Sequence, residues 1–152
     1  MGRTKPIVSN EYIVGLTDGE GCFYVNIWNS DSYRAGCGIQ LHFYIKMQER
    51  DRPLLEKVKN TFGCGEVYFQ NEKRINHAQC YRYTVSSQAD ILGIIIPFFK
   101  KYPLQSVSKR KSFEVFCKIA KLFEQKAHLT KAGLAKIKKL KSQMNHRTIG
   151  LA

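Results

Sequence analysis

One stretch near the start of the chain narrows what it can fold into: Tyr12-Ile13-Val14-Gly15-Leu16-Thr17-Asp18-Gly19-Glu20-Gly21. Ile13, Leu16 and the Val14 methyls give it the apolar surface of a helix. Gly15 and Gly19 lie four residues apart and so share a helix face. Each glycine costs about 1 kcal/mol relative to alanine in a helix interior, so two in one turn need a reason. A face without β-carbons lets another backbone come very close, and close helix–helix contact supplies that reason. Asp18 and Glu20 then fall at the C-terminal end, where carbonyls lack helical donors and the dipole disfavours negative charge. Acids there are out of place unless a cation joins them. On these residues alone, a frayed helix end with solvated acids is the alternative.

The distribution of charge narrows the partner. The chain has 152 residues, suited to a single domain spanning 1–152, and its 43% apolar content is enough for a core. Residues 1–99 carry 11 Lys/Arg and 10 Asp/Glu, whereas residues 100–152 carry 14 and 2. A folded domain whose net charge of +13 gathers in its last third points to a polyanion, nucleic acid ahead of an anionic membrane surface. The five cysteines, at 22, 37, 64, 80 and 117, show no CxxC spacing, which argues against a zinc site or a disulfide framework. Cys22, Cys80 and Cys117 read as small buried hydrophobes, and a reducing compartment fits. The longest apolar run, Ile91–Phe99, is broken by Gly93 and Pro97 and is too short to span a membrane. No secretory or other targeting segment is visible.

Hydrophobic periodicity predicts helix, hairpin, helix, hairpin, helix up to residue 99. Ser9 or Asn10 caps a first helix running to Gly19 or Glu20. In the strand Cys22–Asn29, Phe23, Val25 and Ile27 take one face, and Tyr24, Asn26 and Trp28 the other. A turn containing Arg34 leads to Ile39–Gln48. There Ile39, Leu41, Phe43 and Ile45 point to the core, and Gln40, His42, Tyr44 and Lys46 away from it. This second face holds side chains that read base edges and no acids; a solvated antiparallel face would normally carry some. Asp51 as cap and Pro53 open a helix over Leu54–Phe62 that stops at Gly63. Gly65–Asn71 and Ala78–Ser87 form a second hairpin, with Tyr68, Gln70 and Arg82 on its polar side. Its loop, 71–77, is basic and includes Lys73 and Arg74. A helix over Ala89–Phe99 follows, then a basic amphipathic helix over Lys109–Lys126. A last helix, Lys131–Met144, carries Lys136 and Lys139 on faces that are either solvated or set against a phosphate backbone.

These residues match a known family. Gly15-Leu16-Thr17-Asp18-Gly19-Glu20-Gly21 followed by a strand resembles the LAGLIDADG homing endonucleases. The order αββαββα resembles their α+β fold, an antiparallel sheet saddle on DNA backed by helices, here with added C-terminal helices. Phe98-Phe99-Lys100-Lys101-Tyr102-Pro103-Leu104 and His128-Leu129-Thr130-Lys131-Ala132-Gly133-Leu134 resemble segments of fungal organellar members, and the sequence most resembles the C-terminal half of two-motif proteins. The resemblance implies a site-specific, metal-dependent DNA endonuclease of organellar, intron-encoded origin. It implies that Glu20 lies at the scissile phosphate and holds Mg²⁺ together with the Gly19 carbonyl, with Mn²⁺ as a substitute and Ca²⁺ as a non-catalytic occupant. It casts Asp18 as the acid that supports the helix end.

Two further roles are implied. The family often places a water-arranging glutamine late in the second strand; by register that slot is Met47, so either Gln48 serves through a local bulge or the group is lacking. A lysine after the third helix corresponds to Lys100. The chain has one motif, not two. The resemblance therefore implies a C2 homodimer joined through Ile13, Gly15, Leu16 and Gly19, and a roughly palindromic target. Two first strands of about ten residues each would span ~65 Å, or about 20 base pairs. An RNA maturase or a catalytically silent DNA binder on the same fold are the alternatives.

Overall fold

A computed structural model of the chain describes residues 4–144. Helix α1 (Asn10–Glu20) starts where the Ser9 hydroxyl accepts the Tyr12 N–H at 3.1 Å, and it ends where the chain turns extended at Gly21. Strands β1 (Gly21–Asn29) and β2 (Cys37–Gln48) follow, then α2 (Arg52–Phe62), β3 (Glu66–Gln70) and β4 (Cys80–Val85). Next come α3 (Gln88–Asp90), a π-helical turn (Ile91–Ile95), α4 (Ile96–Lys101), α5 (Val107–Glu124) and α6 (Lys131–Gln143). The α+β order αββαββα is present, with α3 to α4 as its last helix and α5 and α6 added. The sheet order is β1-β2-β4-β3, and β4 runs antiparallel to both β2 and β3.

The chain divides into two compact units. The first holds residues 4–22 and 42–105. Alternation along β2 and β4 sends Phe43, Ile45, Tyr83 and Val85 inward against Leu55, Val58, Phe62, Ile91, Ile95 and Phe99, all buried. The Phe43 ring lies 5.5 Å from Phe99 and 6.2 Å from Phe62. Burying each such side chain stabilises the fold by about 1.5–3 kcal/mol. The Tyr83 hydroxyl donates to the Cys64 carbonyl at 2.8 Å, which satisfies its one polar atom inside this core. The second unit holds residues 23–41 and 106–144. Its core sets Phe23 against Phe113 (5.1 Å) and Phe116 (5.3 Å), with Ile119, Leu134 and Ile137 buried alongside.

Three local expectations change. Asp51 makes no side-chain cap: a 3-10 turn, Glu49–Asp51, runs straight into α2, and the Arg52 N–H bonds the Glu49 carbonyl instead. The helix expected over Ala89–Phe99 contains the π turn, closed by the Ile96 N–H on the Ile91 carbonyl. The next residue, Pro97, has no N–H to give and its ring crowds the preceding turn, so the wider turn absorbs it. Of the cysteines, all free, it is Cys37 that is buried. Cys22 and Cys80 are only half-buried because they share the strand phase of Tyr24 and Arg82 rather than that of the core, and Cys117 also keeps part of its surface exposed.

Candidate nucleic-acid interface and acidic site

The motif helix α1 has two unlike sides. Ile13, Val14 and Thr17 are buried. Tyr12, Gly15 and Gly19 are exposed, and Leu16 is half-exposed. Ile13, expected at a subunit interface, is 0% exposed and belongs to the chain's own core; at about 100° per residue it lies nearly opposite Gly15, and Tyr12, within about 60° of Gly15, Leu16 and Gly19, holds the outward place. A Cβ built on Gly15 or on Gly19 would meet no atom within 4 Å. Nothing in the described chain therefore requires glycine at either position.

The two motif acids have separate fates. The Asp18 carboxylate accepts the backbone N–H of Gln105 at 3.0 Å and ties the helix end to a segment 87 residues later. Glu20, the last helical residue, is exposed and makes no hydrogen bond or ion pair among the described residues. The Gly21 N–H caps the Thr17 carbonyl, and the carbonyls that follow lie at the end of the helical ladder. Gly21 itself has no room for a side chain, because a Cβ there would sit 2.6 Å from Thr17 Cγ2. Among the described residues no three His, Cys, Asp or Glu side chains gather into a metal site. At the end of α1 the Glu20 carboxylate, unpartnered among the described residues, and the preceding Gly19 carbonyl offer two oxygen donors, which suit a hard cation.

Lys100 is exposed in the last turn of α4. Gln48 is exposed too, and the β2–β4 register runs unbroken from Phe43↔Val85 to Gln48↔Cys80. There is no bulge to bring Gln48 into the Met47 slot. Met47 keeps the phase of Phe43 and Ile45, and Gln48 stays on the polar face.

In the first unit that face is built of cross-strand rows. Tyr44, Thr84 and Glu66 form one, Lys46, Arg82 and Tyr68 the next, and Gln48, Cys80 and Gln70 the third. The Arg82 guanidinium lies 3.9 Å over the Tyr44 ring, and its Nε is buried with no partner among the described residues. His42 is held below the usual histidine range, first by burial and then by the Arg82 charge, so it is neutral at pH 7. Lys73 and Arg74 are exposed in the β3–β4 loop. Sequence reasoning passed over Glu72 there: Arg74 Nε and Nη2 donate to it at 2.9 and 3.0 Å, and Lys46 Nζ lies 3.7 Å away. Its carboxyl is held down to about 2, chiefly by Arg74. The signal was a lone acid in a basic loop.

In the second unit, Tyr24 and Trp28 are exposed, Asn26 and Gln40 half-buried, and Arg34 exposed in the turn between the strands. The Trp28 ring lies directly on Gly38, where a Cβ would collide with it, and meets Tyr33 edge-on at 6.1 Å. Lys136 and Lys139 are exposed on α6. The basic residue whose place the sequence did not reveal is Lys141, which reads there as one more lysine on the solvated or phosphate-facing side of the last helix. It continues the Leu134–Ile137 row, its amine is half-buried and lowered by that burial, and it stands 5.2 Å over the Tyr24 ring. With Lys138, Ser142, Ile27, Asn29 and Cys37 it lines a hollow of about 370 Å³. A lysine in the apolar phase of a helix was the available sign.

A family model for LAGLIDADG endonucleases matches residues 13–120. "Probable intron-encoded endonuclease 2" of Neurospora crassa is 33% identical over 135 residues, which is 88% of this chain and 28% of that protein. The chain spans only 28%, 22% and 25% of the length of three curated relatives that it matches. The crystal structure of the homing endonuclease I-TnaI superposes with a TM-score of 0.81 at 33% identity, covering 91% of this chain and 89% of that one. I-SmaMI bound to uncleaved DNA target in the presence of calcium ions gives 0.83 at 31% identity, covering 91% and 45%.

Gly38→Ala is expected to dislodge Trp28, at a stability cost of about 1–3 kcal/mol for the added methyl. Trp28 is the only tryptophan in the sequence, so the emission spectrum reports on it alone. A red shift with stronger quenching by a soluble quencher is the expected result; an unchanged spectrum would show that the ring is not braced on Gly38.

Proposed function

The chain belongs to the LAGLIDADG endonuclease family, and from that premise we propose that it is a site-specific double-strand DNA endonuclease that works as a homodimer. The observation that carries the proposal is the pairing of an unpartnered Glu20 carboxylate with a glycine-bearing helix face that has open space before it. A second copy packed on Tyr12, Gly15, Leu16 and Gly19 sets two Glu20 carboxylates side by side, one for each strand of a duplex. Such an assembly is two-fold symmetric and suits a roughly palindromic site.

Glu20 and the Gly19 carbonyl are the donors for a divalent cation, Mg²⁺ for catalysis and Ca²⁺ as an inert occupant, because both offer hard oxygen. When bound, such an ion supplies an activated water and a counter-charge for the attacked phosphate. The chain's own residues do the rest. Asp18, held by the Gln105 amide, fixes the helix end that presents Glu20. Lys100 offers an exposed ammonium to the charge that develops on the phosphate. Gln48, without a bulge to redirect it, contacts DNA from the polar face rather than arranging water.

Base contacts come from the polar positions of each unit: Tyr24, Asn26, Trp28 and Gln40 in the second, and His42, Tyr44, Lys46, Tyr68, Gln70 and Arg82 in the first. Arg34, Lys73, Lys136 and Lys139 add affinity without reading sequence. The name of the Neurospora relative, a probable intron-encoded endonuclease, supports an intron-borne origin, and the organellar origin follows from the resemblance to fungal organellar members.

The test is cleavage of a randomised duplex library in Mg²⁺ and in Ca²⁺. Double-strand cuts in Mg²⁺ alone, reduced about a hundredfold or more in Glu20→Gln, are expected. Tight duplex binding without cutting would leave a silent binder, and preference for structured intron RNA would leave a maturase. Gly15→Val tests the helix face: with open space around Gly15 the variant is expected to fold, sediment as a monomer and lose cleavage. A variant that still sediments as a dimer would refute the interface.

A further inference from the structure

The β3–β4 loop contains an arrangement that the catalytic reading does not use. Glu72 is the inner partner of a fork: its side chain is 9% exposed, while that of Arg74 is 66% exposed. Arg74 Nε donates to Glu72 Oε1 at 2.9 Å and Nη2 to Oε2 at 3.0 Å, and the Arg74 backbone N–H adds a third bond to Oε1 at 3.1 Å. The loop backbone is pinned in turn by Gln79, whose Oε1 accepts the Glu72 N–H at 2.8 Å and whose Nε2 donates to the Glu72 carbonyl at 3.4 Å. Lys46, in the Lys46–Arg82–Tyr68 row of the polar face, approaches the same carboxylate at 3.7 Å. A carboxyl held down to about 2 by Arg74 stays ionised at any pH at which the protein would work.

The fork has two consequences for a bound duplex. It consumes one edge of the guanidinium, Nε with Nη2, and leaves the other, Nη1 with the second Nη2 hydrogen. That edge presents two parallel donors, which match the paired acceptors O6 and N7 of guanine. It also offsets most of the charge of Arg74, which lies closer to the carboxylate than Lys46 does. Attraction to phosphate falls with charge, whereas a hydrogen bond to a neutral base acceptor survives.

We infer that Glu72 is a positioning residue that converts Arg74 from a phosphate-binding group into a guanine-reading one. The loop is then a specificity element of the first unit, and Glu72, the acid in an otherwise basic loop, sets its selectivity. This inference rests on the duplex-binding reading given above.

The experiment has two arms, both on the full chain. The first measures binding to a random-sequence duplex longer than the ~20-base-pair span across a salt series. Glu72→Gln frees a charge for phosphate, so it should bind more tightly and steepen the slope of log K against log salt by about 0.9. The second selects bound duplexes from a randomised library. Wild type should favour guanine by about tenfold or more at one position; Glu72→Gln and Arg74→Ala should both lose that preference, and Lys73→Ala should keep it. Gln79→Ala separates charge from loop folding, because it removes the backbone brace and leaves every charge in place; it should retain the wild-type slope. Identical slopes and base preferences in wild type and Glu72→Gln would overturn the inference, as would a Gln79→Ala slope as steep as that of Glu72→Gln. Wild-type protein that retains no duplex would overturn the duplex-binding reading itself, a result distinct from either.

Discussion

A helix face without β-carbons is useful only if something comes within backbone distance of it. In α1 that face is built from Gly15 and Gly19, which together cost about 2 kcal/mol against alanine, and a Cβ added at either would meet no atom within 4 Å among the described residues outside its own helix turn. Gly21 differs, because its own chain fills the space where its side chain would be. Two of the three motif glycines thus have no steric explanation among the described residues. The other side of the same helix, Ile13, Val14 and Thr17, is buried, so whatever packs on the open side meets an anchored helix. The position of Glu20 follows from that anchoring.

The division of labour between the motif acids has the same origin. Both sit where the helix dipole disfavours them. Asp18 is compensated within the chain by the Gln105 amide. Glu20 has no compensation among the described residues, and a cation at a phosphate would provide it. The polar faces obey a related logic. Their one acid in the cross-strand rows, Glu66, pairs with Lys59 at 3.1 Å, an exposed contact worth at most about 1 kcal/mol. Glu72 is tied to Arg74 and Lys46. Acids are present near the basic rows, but each is held by a cation of its own.

Most of the architecture could be read from the chain because it rests on short-range rules. Alternation placed Phe43, Ile45, Tyr83 and Val85 inward, Ser9 capped α1, and Gly63 ended α2 in the left-handed conformation expected of a helix-stopping glycine. Partnerships across long sequence distances were hidden. Nothing local showed that Gln105 would hold Asp18, or that Ile13 would be taken by the chain's own core rather than left for a partner. Of the two readings left open at the end of β2, a bulge that lets Gln48 serve or the lack of that group, the pairing with β4 shows no bulge, because that ladder is regular to its end. Lys141 and Glu72 were legible in principle, as a charge in an apolar phase and an acid among bases, but their roles needed the Tyr24 ring and the Arg74 fork to be seen beside them.

The central claim is that each copy supplies one of two coupled cutting sites. Mixing wild-type and Glu20→Gln subunits, with exchange allowed to equilibrium, tests it directly. If two copies are needed, double-strand cutting falls as the square of the wild-type fraction while singly nicked duplex accumulates at intermediate ratios. Cutting that falls linearly with the wild-type fraction, with no nicked product, would contradict the account.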